Sequence, residues 1–206
     1  MIVSFIGSPS SGKTTLAAKL FVYLKTNDYP CELLTEQARL VIAKIRYDEK
    51  LKVNAKLQLF DKDQRHIMQQ QLKWENILGS GMSSRNILVT DSSPFNSLLY
   101  LTYQGKEDFL TQPFIKIANQ TADLVFYVKP IANFVDNDPN RIHDQKQSRN
   151  IDVEVRPTLR AYAPDIEDRL VVLDGDFEYR TNKLITTVAQ IHAERELDYP
   201  AVRTIQ

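Results

Sequence analysis

The stretch "MIVSFIGSPSSGKTTLAAKL", residues 1–20, decides which fold the chain can adopt. Its apolar run over 2–6 predicts a buried strand, and the apolar spacing over 13–25 predicts a helix. A glycine ends the strand, and a short run of small residues connects it to the helix. The order strand, glycine-rich turn, helix is typical of parallel α/β sheets, and it makes this turn the first candidate for a binding site.

The turn matches the pattern Gly-x-x-x-x-Gly-Lys-[Ser/Thr], which surrounds the phosphates of a nucleotide. Glycine is needed where the backbone takes unusual φ angles or approaches the ligand closely, and the N-terminus of the following helix attracts anions. The Lys13 side chain can follow the β- and γ-phosphates, and the Thr14 hydroxyl can ligate Mg²⁺. A chance Gly/Ser turn is the alternative, but here a strand precedes the turn and a helix follows it. We predict ATP and Mg²⁺ as cofactors, with nucleotide contacts from Gly7, Ser10, Ser11, Gly12, Lys13, Thr14 and Thr15.

The composition suits one intracellular globular domain. Hydrophobic residues make up 43% of the 206 residues, and 26 Lys/Arg balance 26 Asp/Glu. Net charge therefore favours neither a nucleic-acid partner nor an acidic substrate, although it does not exclude a local basic face. The single cysteine, Cys31, fits a reducing compartment, and no apolar run approaches the ~18 residues of a membrane span. We expect one domain over residues 1–206, in the cytoplasm and without membrane contact.

Apolar β-rich runs alternate with helical patterns, and this alternation predicts strands over 2–6, 31–35, 86–90, 123–128 and 170–175. Helical spacing covers 13–25, 36–46, 55–78, 94–103, 109–119 and 178–192. The predicted fold class is therefore α/β, with a five-stranded parallel sheet and helices on both faces. On the long helix we expect the core to include Leu59, Ile67, Leu72, Trp74 and Ile77.

A polar segment over about 135–165 interrupts this alternation between the fourth and fifth strands. Long polar connections in compact domains are often lids, and a lid beside the phosphate loop would exclude water from a transferring phosphoryl group. Arg141 and Arg149 are eight residues apart, so they share a face if the segment is helical. We predict that both arginines contact the transferring phosphoryl group; the alternative is a solvated charged face.

The third predicted strand ends at Asp91, in "ILVTDSSP". An acid at the tip of a buried strand beside a phosphate loop helps to hold Mg²⁺, so we predict Asp91 and Thr14 as the metal residues. The alternative is that Asp91 caps the next helix. Ser92 stands where an ATP-driven motor would favour a second acid, and no Asn-Lys-x-Asp guanine signal follows the fourth strand. These absences favour phosphate transfer to a bound acceptor.

The second predicted strand ends "LLTEQAR", which places Glu36 at the carboxyl edge of the sheet. A carboxylate there can accept the proton of an attacking hydroxyl, so we predict Glu36 as the catalytic base. Arg39, three residues later, could hold Glu36 or a substrate phosphate. The alternative is a helix N-terminal acid with a local salt bridge.

Five motifs in this order resemble P-loop kinases related to nicotinamide riboside kinases, and most of all the small AAA-type kinases of bacteriophages: "GSPSSGKTTLAAKL", "ELLTEQAR", "ILVTDSSPFNSLLYL", "DLVFYVKP" and "NRIHDQKQSRNIDVEVRPTL". The resemblance covers residues 1–190 or so. It implies a five-stranded parallel sheet, ATP with Mg²⁺, and Glu36 as the base. The group includes kinases of free nucleosides and phage enzymes that phosphorylate 5-hydroxymethyluracil in DNA; a phage-encoded member would act in the host cytoplasm. The chain departs from the animal nucleoside kinases, whose Asp/Glu-Arg-Ser is here Asp-Ser-Ser.

The acceptor is less well specified by the sequence. Residues 39–65 carry eight Lys/Arg and four acids, and Tyr47 and Phe60 could stack on a base, which favours the hydroxymethyl group of hydroxymethyluracil in DNA. An ordinary solvated helix surface is the alternative reading of that segment. A free nucleoside, including nicotinamide riboside, is the second candidate acceptor. An ATPase switch without an acceptor and a DNA-binding module with a vestigial nucleotide site are alternatives of other classes. His66 and His143 lack partners at metal-ligand spacing, and we assign them no metal role.

Overall fold

Five parallel strands form one sheet, which confirms the predicted α/β class. The structure is a computed structural model, and it describes residues 1–50, 59–81, 86–106, 112–131 and 143–198. The strands are β1 (Ile2–Ile6), β2 (Cys31–Leu34), β3 (Ile87–Thr90), β4 (Leu124–Val128) and β5 (Val171–Leu173). Their order across the sheet is β2-β3-β1-β4-β5, and every neighbouring pair is parallel. This order places β1 at the centre, with β3 and β4 beside it.

Helices cover both faces of the sheet. They are α1 (Lys13–Thr26), α2 (Gln37–Asp48), α3 (Asp61–Ser80), α4 (Pro94–Tyr103), α5 (Gln112–Thr121), α6 (Gln145–Val153), α7 (Val155–Tyr162), α8 (Pro164–Asp168) and α9 (Phe177–Asp198). On one face, α1 and α9 pack on alternate strand residues such as Phe5 and Phe126. On the other face, α3 to α8 pack on Ile6, Val125 and Tyr127. Because both faces are covered, β3 and β4 are buried along their whole length.

Two core predictions on α3 are wrong. Trp74 is 40% exposed and Ile77 is 48% exposed. The inner face of this helix carries Gln64, Gln71 and Glu75, each of which is at most 3% exposed. A hydrophobicity pattern cannot detect a buried face that contains polar residues, because these residues interrupt the apolar period.

The predicted lid over 135–165 contains a well-packed half. Helices α6, α7 and α8 lie within it, and their apolar side chains Ile151, Val155, Leu159 and Ile166 are fully buried in the core on that face. Residues 132–142, which include Arg141, lie outside the described residues, so the lid stays a prediction. Among the helices of the described residues, none is both long enough and apolar enough to traverse a lipid bilayer.

Candidate active site

The turn between β1 and α1 takes backbone conformations that explain its glycines. Gly7 has φ 152°, and a Cβ there would lie 2.5 Å from the carbonyl oxygen of Val128, so a larger residue cannot fit without moving β4. Gly12 (φ 97°) and Ser10 (φ 63°) are also in the left-handed region. Such left-handed residues form the backbone concavities that bind anions. Thr15 follows in the first turn of α1.

Three serine hydroxyls in this loop lack hydrogen-bond partners among the described residues. The hydroxyls of Ser8, Ser10 and Ser11 are buried and make no hydrogen bond among the described residues. Buried hydroxyls without partners are rare, and phosphate oxygens would satisfy them. The Lys13 ammonium donates to the carbonyl oxygens of Gly7 and Ser8, both at 2.8 Å, so its charge lies over the loop. The loop therefore fits the phosphates of a nucleotide.

Asn96, which sequence reasoning missed, connects the loop to the tip of β3. It lies on α4 and is 4% exposed. Its Nδ2 donates to the Phe5 carbonyl oxygen and to the Ser92 hydroxyl, both at 3.0 Å, while its Oδ1 accepts from the Gly7 N–H at 3.2 Å. One side chain thus holds the end of β1, the start of the phosphate loop and the residue after Asp91 in fixed relation.

Asp91 lies where the sequence predicts a metal residue. It is 2% exposed at the carboxyl end of β3 and is hydrogen-bonded to the Thr14 hydroxyl. Burial, and then the charge of Glu36, raise its pKa to about 6, while Thr14 and Lys13 act in the opposite direction. Its Oδ1 has no hydrogen-bond partner among the described residues. A carboxylate oxygen without a partner beside a hydroxyl is a donor set that suits Mg²⁺, so Thr14 and Asp91 fit this ion.

The helix cap after β3 is a neighbouring serine and not Asp91. Ser93 is the N-cap of α4, where its hydroxyl accepts from the Phe95 N–H at 3.3 Å, and Pro94 follows at the first helical position. This geometry removes the capping alternative for Asp91, whose side chain faces Thr14 instead.

Glu36 stands at the start of α2 and takes part in the salt bridge that the sequence suggests. Arg39 Nε lies 3.6 Å from Glu36 Oε2, and the Glu36 side chain is 23% exposed. It makes no side-chain cap to the helix. Its charge contributes to the raised pKa of Asp91, and it lines the same cavity as Thr14. Glu36 therefore has access to solvent and lies near the predicted metal site, as a proton acceptor requires.

A cavity of about 290 Å³ continues from the phosphate loop. Its lining includes the loop from Pro9 to Thr15, both Glu36 and Arg39, and a more distant set formed by Ile42, Leu59, Gln64, Ile67, Ser97, Tyr100 and His143. This volume suits one small molecule. Phosphate-binding groups and a mixed polar and apolar chamber thus share one space.

Flat and polar side chains line the far end of this cavity. The rings of Tyr100 and His143 are stacked, with centroids 5.2 Å apart and planes 13° from parallel. Burial lowers the pKa of His143 to about 4, so the imidazole is neutral at pH 7. The Gln64 side chain is 3% exposed and lines the same cavity. Sequence reasoning singled out none of these as cavity residues, because each comes from a different part of the chain and no local pattern marks it as a cavity residue.

The predicted lid arginines are only partly placed. Arg149 is exposed on α6, and its neighbour Ser148 donates to the Pro9 carbonyl oxygen at 2.7 Å, so this helix lies against the phosphate loop. Arg141 is outside the described residues. Of the predicted stacking residues, Tyr47 is 84% exposed and Phe60 is 51% exposed, both outside the cavity lining.

Comparisons with known proteins agree with this architecture. A family model described as "AAA domain" matches residues 2–180. The NadR protein, solved in complex with NR, is similar with a TM-score of 0.68 and 19% identity, over 93% of this chain and 51% of that one. This chain thus spans about half the length of NadR, and the likeness shows a shared fold. Shikimate kinase from Acinetobacter baumannii has a TM-score of 0.47 and 12% identity, over 94% of this chain and 93% of that one. Among curated proteins, none matches the chain.

Proposed function

This chain belongs to the AAA domain family, and we propose that it is an ATP-dependent kinase that transfers the γ-phosphate to a hydroxyl of a nucleoside-type acceptor. The observation that carries the proposal is the shared cavity. The phosphate loop, Glu36, Tyr100 and His143 all line this one space. A switch that only hydrolyses ATP needs no room for an acceptor beside the phosphates, so the cavity supports a transferase.

Each residue of the site has its own role in the proposed reaction. Glu36 accepts the proton of the acceptor hydroxyl, whose oxygen bonds to the γ-phosphorus while the bond to the β–γ bridging oxygen breaks. Lys13 and the loop N–H groups bind the phosphate oxygens on which charge remains. Mg²⁺, held by Thr14 and Asp91, would neutralise charge on the β- and γ-phosphates. Arg149, and Arg141 if the lid closes, would contact the transferring group.

The cavity favours a free small acceptor. The Tyr100–His143 pair, which lines the same space as the phosphate loop, offers a flat wall to the ring of a small acceptor. The Gln64 amide lines the same cavity. Its NH₂ group can donate a hydrogen bond and its carbonyl oxygen can accept one, which suits the edge of a carboxamide or a nucleobase. NadR was solved in complex with NR, which makes NR the first acceptor to test here.

The hydroxymethyl group of hydroxymethyluracil in DNA is the second candidate acceptor. The exposed rings of Tyr47 and Phe60, within the basic segment 39–65, support this candidate. Part of that positive charge is neutralised, however, because Lys44 pairs with Asp48 at 2.7 Å. We therefore place the free acceptor first, which reverses the order that the sequence alone suggests.

A transfer assay decides between these acceptors. The full chain is incubated with Mg²⁺ and γ-labelled ATP, together with nicotinamide riboside, single nucleosides, or an oligonucleotide that contains 5-hydroxymethyluracil. We expect label on a free nucleoside-type acceptor. Label on the oligonucleotide alone would select the DNA substrate, and hydrolysis that no acceptor accelerates would contradict the kinase proposal.

A further inference from the structure

Helix α6 contacts the phosphate loop through a serine that is 139 positions away from its partner. The Ser148 hydroxyl donates to the Pro9 carbonyl oxygen at 2.7 Å, and the residue is 3% exposed. A serine inside a helix ordinarily bonds a carbonyl of the preceding turn. Here that hydrogen bond goes to the nucleotide-binding loop instead, so the helix and the loop are held together at this point.

A second contact fixes the same face of α6 one turn later. The Tyr127 hydroxyl, on β4, donates to Asp152 Oδ1 at 3.0 Å. Ser148 and Asp152 are four residues apart and therefore lie one above the other on the helix surface. Since β4 is the neighbour of β1, both contacts join α6 to the part of the sheet that carries the phosphate loop.

Arg149 directly follows Ser148 in the sequence and is exposed. A long arginine side chain reaches a fixed point only if the backbone that carries it is itself held, and a displacement of about 1 Å in a reacting group can cost 10²-fold in rate. We propose that the Ser148–Pro9 and Tyr127–Asp152 hydrogen bonds, here named the α6 latch, are positioning contacts that aim Arg149 at the phosphoryl group held by the loop. The inference rests on the proposed function.

The α6 latch predicts an effect on kcat that a contact with a purely structural role would not have. If Ser148 acts through Arg149, then losing the Ser148 hydroxyl matters only while the guanidinium is present. The two effects are then non-additive, which is the signature of residues that work as one unit. A serine that only stabilises the fold would lower the melting temperature and leave kcat unchanged.

The experiment compares Ser148→Ala, Arg149→Ala and the double variant for phosphate transfer and, without acceptor, for release of phosphate from ATP. We expect kcat to fall about 10-fold for Ser148→Ala and about 10²-fold for Arg149→Ala, with the KM for ATP within about twofold in both. The double variant should be no slower than Arg149→Ala alone. Tyr127→Phe, which removes one hydroxyl and keeps the ring, should lower kcat in the same way and serves if Ser148→Ala folds poorly.

Thr158→Val is the matched control. Thr158 lies on α7, is 2% exposed, and its hydroxyl has no partner among the described residues, so its removal should leave kcat unchanged. The latch would be overturned if the kcat losses of the two single variants multiply in the double variant. It would also be overturned if both Ser148→Ala and Tyr127→Phe keep full kcat. Full kcat in Arg149→Ala would overturn it as well, while leaving the kinase proposal intact. Failure of the wild-type chain to phosphorylate any acceptor would reject the proposed function, and the phosphate-release data would still test the latch.

Discussion

The two ends of the cavity are built in different ways. The phosphate end comes from one run of the chain, from Gly7 to Thr15, and its shape follows from local backbone conformation. The acceptor end is assembled from side chains such as Gln64, Tyr100 and His143, which come from separate elements. A contiguous site depends on a few φ angles, whereas an assembled site depends on how helices pack on the sheet. The chemistry of the first can thus persist while the specificity of the second changes.

The largest expected effect comes from the contiguous end. Lys13→Ala removes an ammonium group whose Nζ lies 2.8 Å from two loop carbonyl oxygens. The variant should transfer phosphate about 10³–10⁵-fold more slowly, because the charge that develops on the phosphoryl group loses its main partner. Circular dichroism should show an unchanged fold. Lys19→Ala, an exposed lysine on the same helix, is the control. Transfer near the wild-type rate would mean that the loop is not the phosphate site.

The next effect tests the junction of the two ends. Glu36→Gln keeps the shape of the side chain but cannot take a proton, so kcat should fall about 10²–10⁴-fold while the KM for ATP stays similar. Glu32→Gln, four residues earlier on β2 and with a side chain that is 62% exposed, is the matched acid and should have no effect. A change below about tenfold would make Glu36 a positioning group for Arg39 or the acceptor.

The contrast between the two ends also explains what could be predicted from the sequence. β1 spans 2–6 and α4 spans 94–103 as predicted, because the strand is a plain apolar run and the helix starts with Ser-Pro capping chemistry. The predicted Thr14 and Asp91 are indeed brought together, because a parallel sheet places strand ends at one edge. Local rules suffice for these features.

Features that depend on packing between distant elements could not be predicted. Asn96 lies inside the stretch 87–101, but no local pattern there marks its role, which appears only when β1 and α4 are seen in contact. His143 reads as a polar residue in a polar segment, although its ring stacks on that of Tyr100. Glu75 would be placed on the surface by any polarity rule, yet it is 2% exposed, while Ile77 on the same helix is 48% exposed. Each case needs three-dimensional neighbours that one sequence does not specify.

A smaller effect would sharpen the comparison at the assembled end. Gln64→Leu keeps the volume of the side chain and removes its amide, so the KM for the acceptor should rise about tenfold with the KM for ATP unchanged. The reason is that a polar group of the acceptor loses its partner in the cavity. Gln69→Leu, an exposed glutamine on the same helix, is the control. An equal rise in both KM values would show that the amide supports the whole cavity and does not recognise the acceptor.

The smallest effect on transfer is expected at Glu75, which is buried on α3 but does not line the cavity. Glu75 Oε1 accepts from Gln71 Nε2 at 2.9 Å, and Gln71 Nε2 also donates to the Thr90 hydroxyl at 2.7 Å. Burial raises the pKa of Glu75 to about 8 from 4.5. The folded state therefore favours the protonated acid. The stability that this proton provides is complete below pH 4.5, falls as pH rises and is lost above about pH 8.

Glu75→Gln imitates the protonated acid and should remove this pH dependence. The free energy of unfolding of each protein is measured with denaturant at pH 5 and at pH 9. Between these two pH values, that of the wild type should fall by a few kcal/mol more than that of the variant, on the order that the pKa shift implies. Glu194→Gln is the matched control, because Glu194 accepts from Gln190 at 3.0 Å in the same i,i+4 geometry but on an exposed surface. If both variants follow the wild-type pH profile, Glu75 is ionised in the folded protein. The acceptor end would then be supported by a buried charge, and its assembly would depend on a partner for that charge.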